Sequence, residues 1–373
     1  MFRLKRFQND ISSMRSHHWK YYLDAYDSCY YNCKYCLYYS KKVTHSNMLL
    51  SEIESDFLEI QDVKGIVYLG ATADVYQPHE KETLYTRNIL KLCLKYNVPL
   101  FIVTRSNLIL RDIDILKELS RKGMVEVSIT INTKNIRFRN CIEPNTILHE
   151  SRLNVAATLS QNGIKTSFHF SPILPYLDNE NEINEMLMEM CKTGCSCIYA
   201  CIFGMSKSAK GIFIKHLKKF DVKYAKKILE IYSQDNSNTN TLSPPDEDVF
   251  KIMNAMSTFC NTNKIPFICA QIPDLDTTVR ENGIFQYKLP TVGDIVHHFE
   301  KLSLNTIYFS NLDEYFETFC AVDNYYRDSV KKYWKNGELF KNSKFVKRVV
   351  SNSIIYIKSD EALIDTSVMS CSD

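Results

Sequence analysis

Short apolar runs alternate with longer amphipathic stretches over about residues 21–230. The runs are rich in β-branched and aromatic residues, which favours strands, whereas the stretches between them have helical periodicity. The predicted strands are Tyr21–Tyr26, Gly65–Leu69, Leu100–Thr104, Val125–Ile131, Lys165–Phe170 and Cys197–Phe203. The predicted helices lie near 51–61, 80–96, 112–122, 149–162 and 180–191, with another after 211.

This alternation predicts parallel strands that are joined by right-handed crossovers. Gly123 and Gly163 stand where a helix should end before the next strand begins. Six strand–helix units favour an open, partial (βα)6 barrel over a closed barrel of eight strands. The fold class is therefore α/β.

A polar segment at residues 233–245, which ends in two prolines, marks a predicted domain boundary. The barrel, with an N-terminal extension, is expected at residues 1–232. Beyond the boundary the pattern predicts helices at 246–263, 291–302 and 322–335, and short strands at 266–270, 305–309 and 353–357. We expect a smaller α+β C-terminal domain at residues 246–373, with a substrate-binding or capping role.

Composition and charge narrow the class of protein only modestly. The 373 residues are 45% hydrophobic and 24% charged, which is ordinary for a globular protein. No run reaches about 18 apolar residues, and the N-terminus lacks the apolar core of a signal peptide, so we expect a cytoplasmic protein with no membrane partner. The net charge of +3 does not by itself predict a polyanionic partner.

Three cysteines, Cys29, Cys33 and Cys36, follow the first predicted strand. In a chain without an export signal, closely spaced cysteines favour metal binding or catalysis over disulfides. Three thiolates within eight residues suit one iron–sulfur cluster, and the lack of a nearby fourth cysteine leaves one iron open. A zinc site would need a fourth Cys or His at short spacing, and His45 is the nearest candidate.

Polar side chains gather at the predicted carboxyl ends of the strands, where parallel α/β barrels place their sites. The segment from Asp74 to Glu80 follows the second strand, and Arg105 follows the third. Ser128 and Thr130 lie on the fourth strand, and their hydroxyls could bind a ribose or an amino acid backbone. Arg105 and Arg152 could each bind a carboxylate through two hydrogen bonds.

The spacing C-x3-C-x2-C after the first strand of a (βα)6 pattern resembles the radical S-adenosylmethionine (SAM) superfamily. Tyr35 matches the aromatic residue that this family carries before the third cysteine. The resemblance implies a [4Fe–4S] cluster on Cys29, Cys33 and Cys36 whose open iron binds the amino and carboxylate groups of SAM. Reductive cleavage of SAM would yield a 5′-deoxyadenosyl radical that abstracts hydrogen from a substrate. An electron donor such as flavodoxin or ferredoxin is implied as well.

Three further blocks resemble the spore photoproduct lyase-like branch of this superfamily. They are D-x-Y-Q-P-x-E at 74–80, T-[KR]-S-x4-R-D at 104–112, and E-P…R-L from 143 to 153. The likeness covers roughly residues 20–205. It places Arg105 at a basic SAM contact and Ser128 at a SAM-binding serine.

These observations lead to a set of predicted site residues. Asp74 and Tyr76 are the predicted catalytic residues. The predicted cofactor-binding residues are Tyr35, Gln77, Glu80, Arg105, Ser128, Thr130 and Arg152.

The resemblance implies nucleic acid as the leading substrate class. Radical modification of a peptide or small metabolite, or a non-catalytic iron–sulfur or zinc-binding module, are the alternatives. One departure bears on the substrate, because spore photoproduct lyase carries a hydrogen-donor cysteine that would be sought after the second strand. Here Gly70–Ala73 contains no cysteine. Repair of a spore photoproduct is therefore not expected.

Two other groups of residues could have a functional role. Cys191, Cys195, Cys197 and Cys201 could hold a second cluster, but core packing is the more usual role of such cysteines. A run of lysines over the predicted helix after 211 is most simply a solvated helix face. The alternative is a surface that follows a phosphate backbone. The lysines are Lys207, Lys210, Lys215, Lys218, Lys219, Lys223, Lys226 and Lys227.

Overall fold

One eight-stranded sheet organises most of the chain. The computed structural model describes residues 5–6, 19–38, 49–60, 65–175, 180–233, 241–269, 272, 289–302, 304–319, 321–341 and 343–359. The strands within these ranges are β1 (Lys5–Arg6), β2 (Tyr21–Leu23), β3 (Val67–Leu69), β4 (Leu100–Thr104), β5 (Val125–Ile131), β6 (Thr166–Ile173), β7 (Ile198–Ile202), β8 (Met205–Ser206), β9 (Thr241–Leu242), β10 (Phe267–Cys269), β11 (Thr306–Ile307), β12 (Phe345–Val350) and β13 (Ser353–Lys358).

Helices connect most of these strands, as the periodicity predicts. They are α1 (Leu50–Ile60), α2 (Glu80–Thr83), α3 (Tyr85–Tyr96), α4 (Ile113–Arg121), α5 (Ile136–Ile142), α6 (His149–Gln161), α7 (Glu180–Lys192), α8 (Lys210–Phe220), α9 (Val222–Ile231), α10 (Asp246–Thr262), α11 (Val292–Lys301), α12 (Phe309–Phe316) and α13 (Asn324–Asn336). A 3₁₀ helix at Asn107–Asp112 precedes α4. The predicted helix over 80–96 is divided at Leu84, whose φ of 51° is left-handed.

The main sheet is open and runs in the order β1-β2-β3-β4-β5-β6-β7-β10 across the described residues. The strands from β2 to β10 in this order pair in parallel, and β1 adds an antiparallel edge through the pair Lys5 and Tyr22. The α/β class and the partial barrel are therefore confirmed. Gly123 and Gly163 end helices with positive φ, as predicted.

The sheet has one more parallel strand than the six predicted, namely β10. The sequence pattern assigned this strand to the C-terminal domain because it lies beyond the polar segment at 233–245. In the structure α10 buries Val249, Met253 and Met256 in the same core as the barrel helices. The strand that follows α10 therefore continues the strand–helix repeat and pairs with β7.

The two faces of each barrel strand bury different neighbours, because successive side chains point to opposite faces. On β7, Ile198, Ala200 and Ile202 pack against the surrounding helices. Tyr199 points into the barrel and packs with Trp19 and Phe101. The rings of Trp19 and Phe101 stack, with their centroids 4.0 Å apart. This inner cluster fills the barrel near the amino ends of its strands, which leaves the carboxyl ends for a site.

The C-terminal residues form a second packed unit. Strands β11, β13 and β12 make an antiparallel sheet that packs with α11, α12 and α13 around a core of its own. Lys20, which is buried beside the barrel, connects the two parts. Its Nζ donates to the Ala321 carbonyl at 3.0 Å and lies 2.9 Å from Asp323 Oδ2. The division of the chain into domains at 233–245 stays a prediction.

No helix among the described ranges is both long and apolar enough to cross a bilayer.

Gly70 makes the turn that follows β3. Its φ is +97°, and a Cβ at this position would lie 2.6 Å from the Val103 carbonyl oxygen. Gly163 also has a positive φ of +73°, but a Cβ there would meet nothing within 4 Å. Position 70 therefore requires glycine for its positive φ and for the close approach to Val103. Position 163 requires it only for the positive φ.

We predict that Gly70→Ala lowers the free energy of unfolding by about 3 kcal/mol, whereas Gly163→Ala lowers it by only about 1–2 kcal/mol. Both changes force alanine into a left-handed conformation, and only the first also drives Cβ into a backbone carbonyl. Urea unfolding followed by circular dichroism would measure both values. Equal losses would mean that the close approach to Val103 is relieved at no cost.

Candidate cluster and cofactor site

The three predicted cluster cysteines lie in the loop after β2 and line one cavity at the carboxyl end of the sheet. The tips of β3, β4 and β5 contribute the opposite wall. The other lining residues are Asn32, Tyr35, Tyr38, Gly70, Ala71, Thr72, Ala73, Asp74, Val103, Thr104, Arg105 and Thr130. The structure therefore brings the cysteines together with four further predicted site residues, which are Tyr35, Asp74, Arg105 and Thr130.

Hydrogen bonds from outside the cysteine loop hold its shape. Gln77 accepts from the Tyr30 backbone N–H at 2.7 Å and donates through Nε2 to the Ser28 carbonyl at 3.2 Å. At the other end of the loop, the Lys34 backbone N–H donates to the Ile142 carbonyl at 2.8 Å. Gln77 is completely buried and does not line the cavity, so in this structure it positions the loop.

The side chains present suit an iron–sulfur cluster. Cys29, Cys33 and Cys36 are reduced, and thiolate sulfur is the ligand that such clusters use. Burial raises the pKa of Cys33 to about 12, although the Arg105 guanidinium opposes this rise. Among the described residues no three potential ligands converge on a single ion. A cubic cluster does not require such convergence, because each cysteine ligates a different iron.

A buried carboxylate, Glu143, organises the wall behind the cysteines. Its Oε1 accepts from Arg105 Nη1 at 2.8 Å, from Asn132 Nδ2 at 3.1 Å and from the Tyr35 hydroxyl. Its Oε2 accepts from Arg152 Nη2 at 2.5 Å. Burial alone would raise the pKa of Glu143, but Arg152 and Arg105 outweigh it and lower this pKa to about 2. Glu143 is therefore ionised between two guanidinium groups.

Arg105 connects Glu143 to the cysteines and to Asp74. Its Nη1 lies 3.0 Å from Cys33 Sγ and 2.9 Å from the Tyr35 hydroxyl. Its backbone N–H donates to Asp74 Oδ2 at 2.9 Å. The side chain is 19% exposed, so the guanidinium reaches the cavity while it remains anchored to protein groups.

Arg152 has different surroundings from Arg105, although the sequence pairs the two as carboxylate ligands. Its side chain is only 2% exposed, and it does not line the cavity. The guanidinium donates to the Thr130 carbonyl at 3.1 Å and to Thr146 Oγ1 at 2.7 Å, besides Glu143. Its predicted contact with SAM stays a prediction, and its position fits a role that acts through Glu143.

Asp74 is held rigidly at the edge of the cavity. Its carboxylate accepts from Thr104 Oγ1 at 2.7 Å and from the Tyr76 backbone N–H at 2.9 Å, in addition to Arg105. Burial raises the pKa of Asp74, and these hydrogen bonds limit the rise. Tyr76 itself is buried away from the cavity lining, and its carbonyl accepts from the Tyr31 hydroxyl at 3.3 Å.

Glu80 also lies behind the cavity wall rather than in it. Its carboxylate accepts from the Tyr26 hydroxyl, from Arg111 Nη2 at 2.8 Å and from the Thr86 backbone N–H at 2.9 Å. These contacts tie the start of α2 to the 3₁₀ helix before α4. Of the residues from Asp74 to Glu80, only Asp74 reaches the cavity.

Ser128 and Thr130 point into the barrel from β5, since Val127, Ile129 and Ile131 on the same strand face the helices. Both hydroxyls are buried and have no hydrogen-bond partner among the described residues. Asn132 Oδ1 and Ser167 Oγ share this condition. Buried polar atoms in native proteins are nearly always paired, so these four oxygens indicate a polar ligand or ordered water inside the barrel.

Several side chains around this site lie outside the set that the sequence predicts. They are Glu143, which the sequence offers only as part of a motif, Asn132 and His169. Burial and the nearby Arg105 lower the pKa of His169 to about 4, so the imidazole is neutral at pH 7. Strand alternation could have predicted that His169 faces inward, because Phe168 and Phe170 face the helices.

The second group of cysteines is divided by the sheet. Cys195 packs in the core between the sheet and the helices, whereas Cys197 lies in the cluster inside the barrel. Alternation along β7 places Cys201 on the inner face as well. Cys141 instead turns away from the barrel, and its Sγ lies 2.7 Å from the His216 carbonyl oxygen.

Residues 24–190 match the family model of the radical SAM superfamily. An uncharacterized protein of Methanocaldococcus jannaschii is 37% identical over 164 residues, which cover 42% of this chain and 62% of the relative. An uncharacterized protein of Acidianus two-tailed virus is 28% identical over 153 residues, which cover 41% of this chain and 50% of the relative. This chain therefore spans less than two thirds of the length of either relative.

Among solved structures, the fold is similar to a double mutant of spore photoproduct lyase with bound AdoMet and dinucleoside spore photoproduct. The TM-score is 0.55 at 16% sequence identity, and the match covers 68% of this chain and 76% of the other. At this identity the likeness shows a shared fold. The family match extends over residues 24–190, so this part of the chain is similar to the radical SAM superfamily in sequence as well.

Proposed function

We propose that this chain is an enzyme that holds a [4Fe–4S] cluster on Cys29, Cys33 and Cys36, binds SAM beside it and cleaves SAM reductively. The observation that carries the proposal is the shared cavity, in which the three thiols face Arg105 and Asp74 at the carboxyl end of a parallel barrel. When bound, the cluster and SAM would supply a 5′-deoxyadenosyl radical that abstracts hydrogen from a substrate.

Arg105 is the residue that we propose to bind the SAM carboxylate. It carries a permanent charge and lines the same cavity as the cysteines. Glu143 and Tyr35 hold its Nη1, so little conformational entropy would be lost when the guanidinium binds an anion. Arg152 would contribute indirectly, because its ion pair with Glu143 holds that carboxylate in place.

The hydroxyls of Ser128 and Thr130 are proposed to bind the ribose of SAM. They are buried oxygens without a protein partner in the described residues, and a ribose offers both donors and acceptors. Asp74 is proposed to face the adenosyl group and the substrate, since it belongs to the cavity wall. Tyr76, Gln77 and Glu80 are buried around it, and their proposed contribution is to hold the Asp74 loop and the cysteine loop in place.

The leading substrate class that we propose is nucleic acid. Its support is the likeness in fold to spore photoproduct lyase, together with the sequence blocks shared with that branch. Modification of a peptide or small metabolite would use the same chemistry, and it remains the alternative class. SAM cleavage would distinguish either activity from a non-catalytic metal-binding module.

An external one-electron donor such as flavodoxin or ferredoxin is the proposed partner, since reductive cleavage of SAM consumes an electron. We also propose a cytoplasmic location. In support, none of the described cysteines is in a disulfide, which is typical of proteins in a reducing compartment.

We predict about four irons and four sulfides per chain after anaerobic reconstitution. Changing Cys29, Cys33 or Cys36 to alanine should abolish both cluster binding and SAM cleavage. Cys93→Ala is the matched control, because Cys93 is buried in α3 outside the cavity. Iron and sulfide analysis and 5′-deoxyadenosine release would measure the outcome. A Cys33→Ala protein that still cleaves SAM would sink the assignment.

We predict that Arg105→Gln weakens SAM binding by about tenfold or more, which is the loss expected for one charge-assisted hydrogen-bonded pair. The cluster absorbance should persist, because Glu143 keeps Arg152 as its counter-charge. Isothermal titration with SAM would measure the affinity. Arg111→Gln serves as the control, since Arg111 is similarly exposed and pairs with Glu80 outside the cavity. Unchanged affinity in Arg105→Gln would make Arg105 a structural residue.

We predict no turnover of a spore photoproduct dinucleotide. Ala71 and Ala73 line the cavity where a hydrogen-donor thiol would be sought, and Cys141 faces α8 instead. Reduced enzyme, SAM and the dinucleotide would be incubated, and thymine release would be followed by chromatography. SAM cleavage without thymine release is the expected result. Multiple turnovers would contradict the prediction and direct attention to Cys201.

A further inference from the structure

Two helices near the cluster loop present a lysine-rich surface. On α8, Lys215, Lys218 and Lys219 are exposed at the spacing i, i+3, i+4, which places them on one face. On α9, three exposed lysines repeat this spacing at Lys223, Lys226 and Lys227. We call these six residues the lysine surface.

The opposite faces of both helices are buried, so the direction of the lysine surface is settled. Phe213, Ile214 and Leu217 of α8 pack with Ala225 and Ile228 of α9 in one core. A single residue, Asp221, joins the helices, and its side chain accepts from the Tyr224 backbone N–H at 2.8 Å. Segment 207–233 contains eight lysines and only two carboxylates, which makes its surface strongly positive.

This surface lies one helix away from the cysteine loop. Helix α5 is the intermediate element: its Ile142 carbonyl accepts from the Lys34 backbone N–H at 2.8 Å, between Cys33 and Tyr35. On its other side, Phe138 of α5 packs against Phe220 of α8, with ring centroids 5.1 Å apart. The core that α8 and α9 share with α5 also contains Cys33 and Tyr35. A continuous packed layer therefore separates the lysine surface from the cysteines.

The lysine surface is not part of the substrate cavity. Neither α8 nor α9, both fully described, contributes a residue to the cavity lining. A substrate must enter the cavity, which these two helices do not line. An electron carrier has a different requirement, because it needs only to approach the cluster and should leave the cavity open for SAM and substrate.

We propose that the lysine surface is the docking site of an acidic one-electron carrier protein of the flavodoxin or ferredoxin type. The inference rests on the proposed function, since it requires a cluster on Cys29, Cys33 and Cys36. The carrier loses one electron, the cluster accepts it, and no atom is transferred. Opposite charges would steer the encounter and orient the carrier's redox group toward the packed layer above the cysteines.

The test compares two triple variants that change the net charge equally. Lys218, Lys219 and Lys223 are changed to glutamate in the first. The control changes Lys332, Lys335 and Lys341, which are exposed on the C-terminal unit, to glutamate. Stopped-flow absorbance would follow reduction of the reconstituted cluster by reduced flavodoxin, and dithionite would serve as a small reductant that needs no docking.

We expect the first variant to be reduced by flavodoxin about tenfold more slowly or worse, and the control variant within about twofold of the natural protein. Dithionite should reduce all three equally. Reduction of the natural protein by flavodoxin should slow as salt is added. A first variant that flavodoxin reduces at the natural rate would overturn the proposal. The proposal would also be overturned if the first variant kept the natural rate of reduction by flavodoxin but lost binding to a single-stranded oligonucleotide. That result would assign the surface to nucleic acid.

Failure of the proposed function would look different. Without a functional cluster, dithionite would not support SAM cleavage by any of the three proteins. The docking surface would still be testable in that case, because isothermal titration of the apo-protein with oxidised flavodoxin needs no cluster. Binding that is lost in the first variant and kept in the control would support the surface, and equal binding by both would overturn it.

Discussion

The geometry of the site depends on one buried ion-pair arrangement, in which Glu143 lies between Arg105 and Arg152. A carboxylate with no exposed surface is costly to ionise, and its pKa of about 2 records how strongly the two guanidinium groups compensate. The arrangement joins elements that are distant in sequence: the cysteine loop through Tyr35, the end of β4 through Arg105, and α6 through Arg152. If either arginine were removed, the other would have to balance the charge alone.

This arrangement also assigns different tasks to residues that look alike in sequence. Arg105 and Arg152 both bind Glu143, but only Arg105 reaches the cavity. In the same way, Asp74 lines the cavity whereas Glu80 is buried against Arg111, although both belong to one motif. Charged residues behind a site commonly hold the residues that act, and Glu80 and Arg152 have this position here.

The inside of the barrel changes in character along the strands, from packed aromatic rings to polar side chains. Near the amino ends, aromatic side chains pack together inside the barrel. Toward the carboxyl ends the inner face becomes polar, with Ser128, Thr130 and His169 replacing the rings. Because side chains alternate along each strand, the helix-facing positions of β5 and β7 remain apolar beside this polar inner face. The lysine surface on α8 and α9 lies outside this barrel and leaves the cavity open.

The sequence by itself determined the class of fold, the positions of most barrel strands and helices, and the three cysteines. These features are local: hydrophobic periodicity acts over a few residues, and the cysteine motif lies within eight. What only the tertiary structure decided is which distant residues meet. Glu143 contacts Tyr35 across 108 positions, and β10 joins the barrel although a polar segment precedes its helix. No local pattern encodes such contacts, because they arise from how whole helices pack onto the sheet.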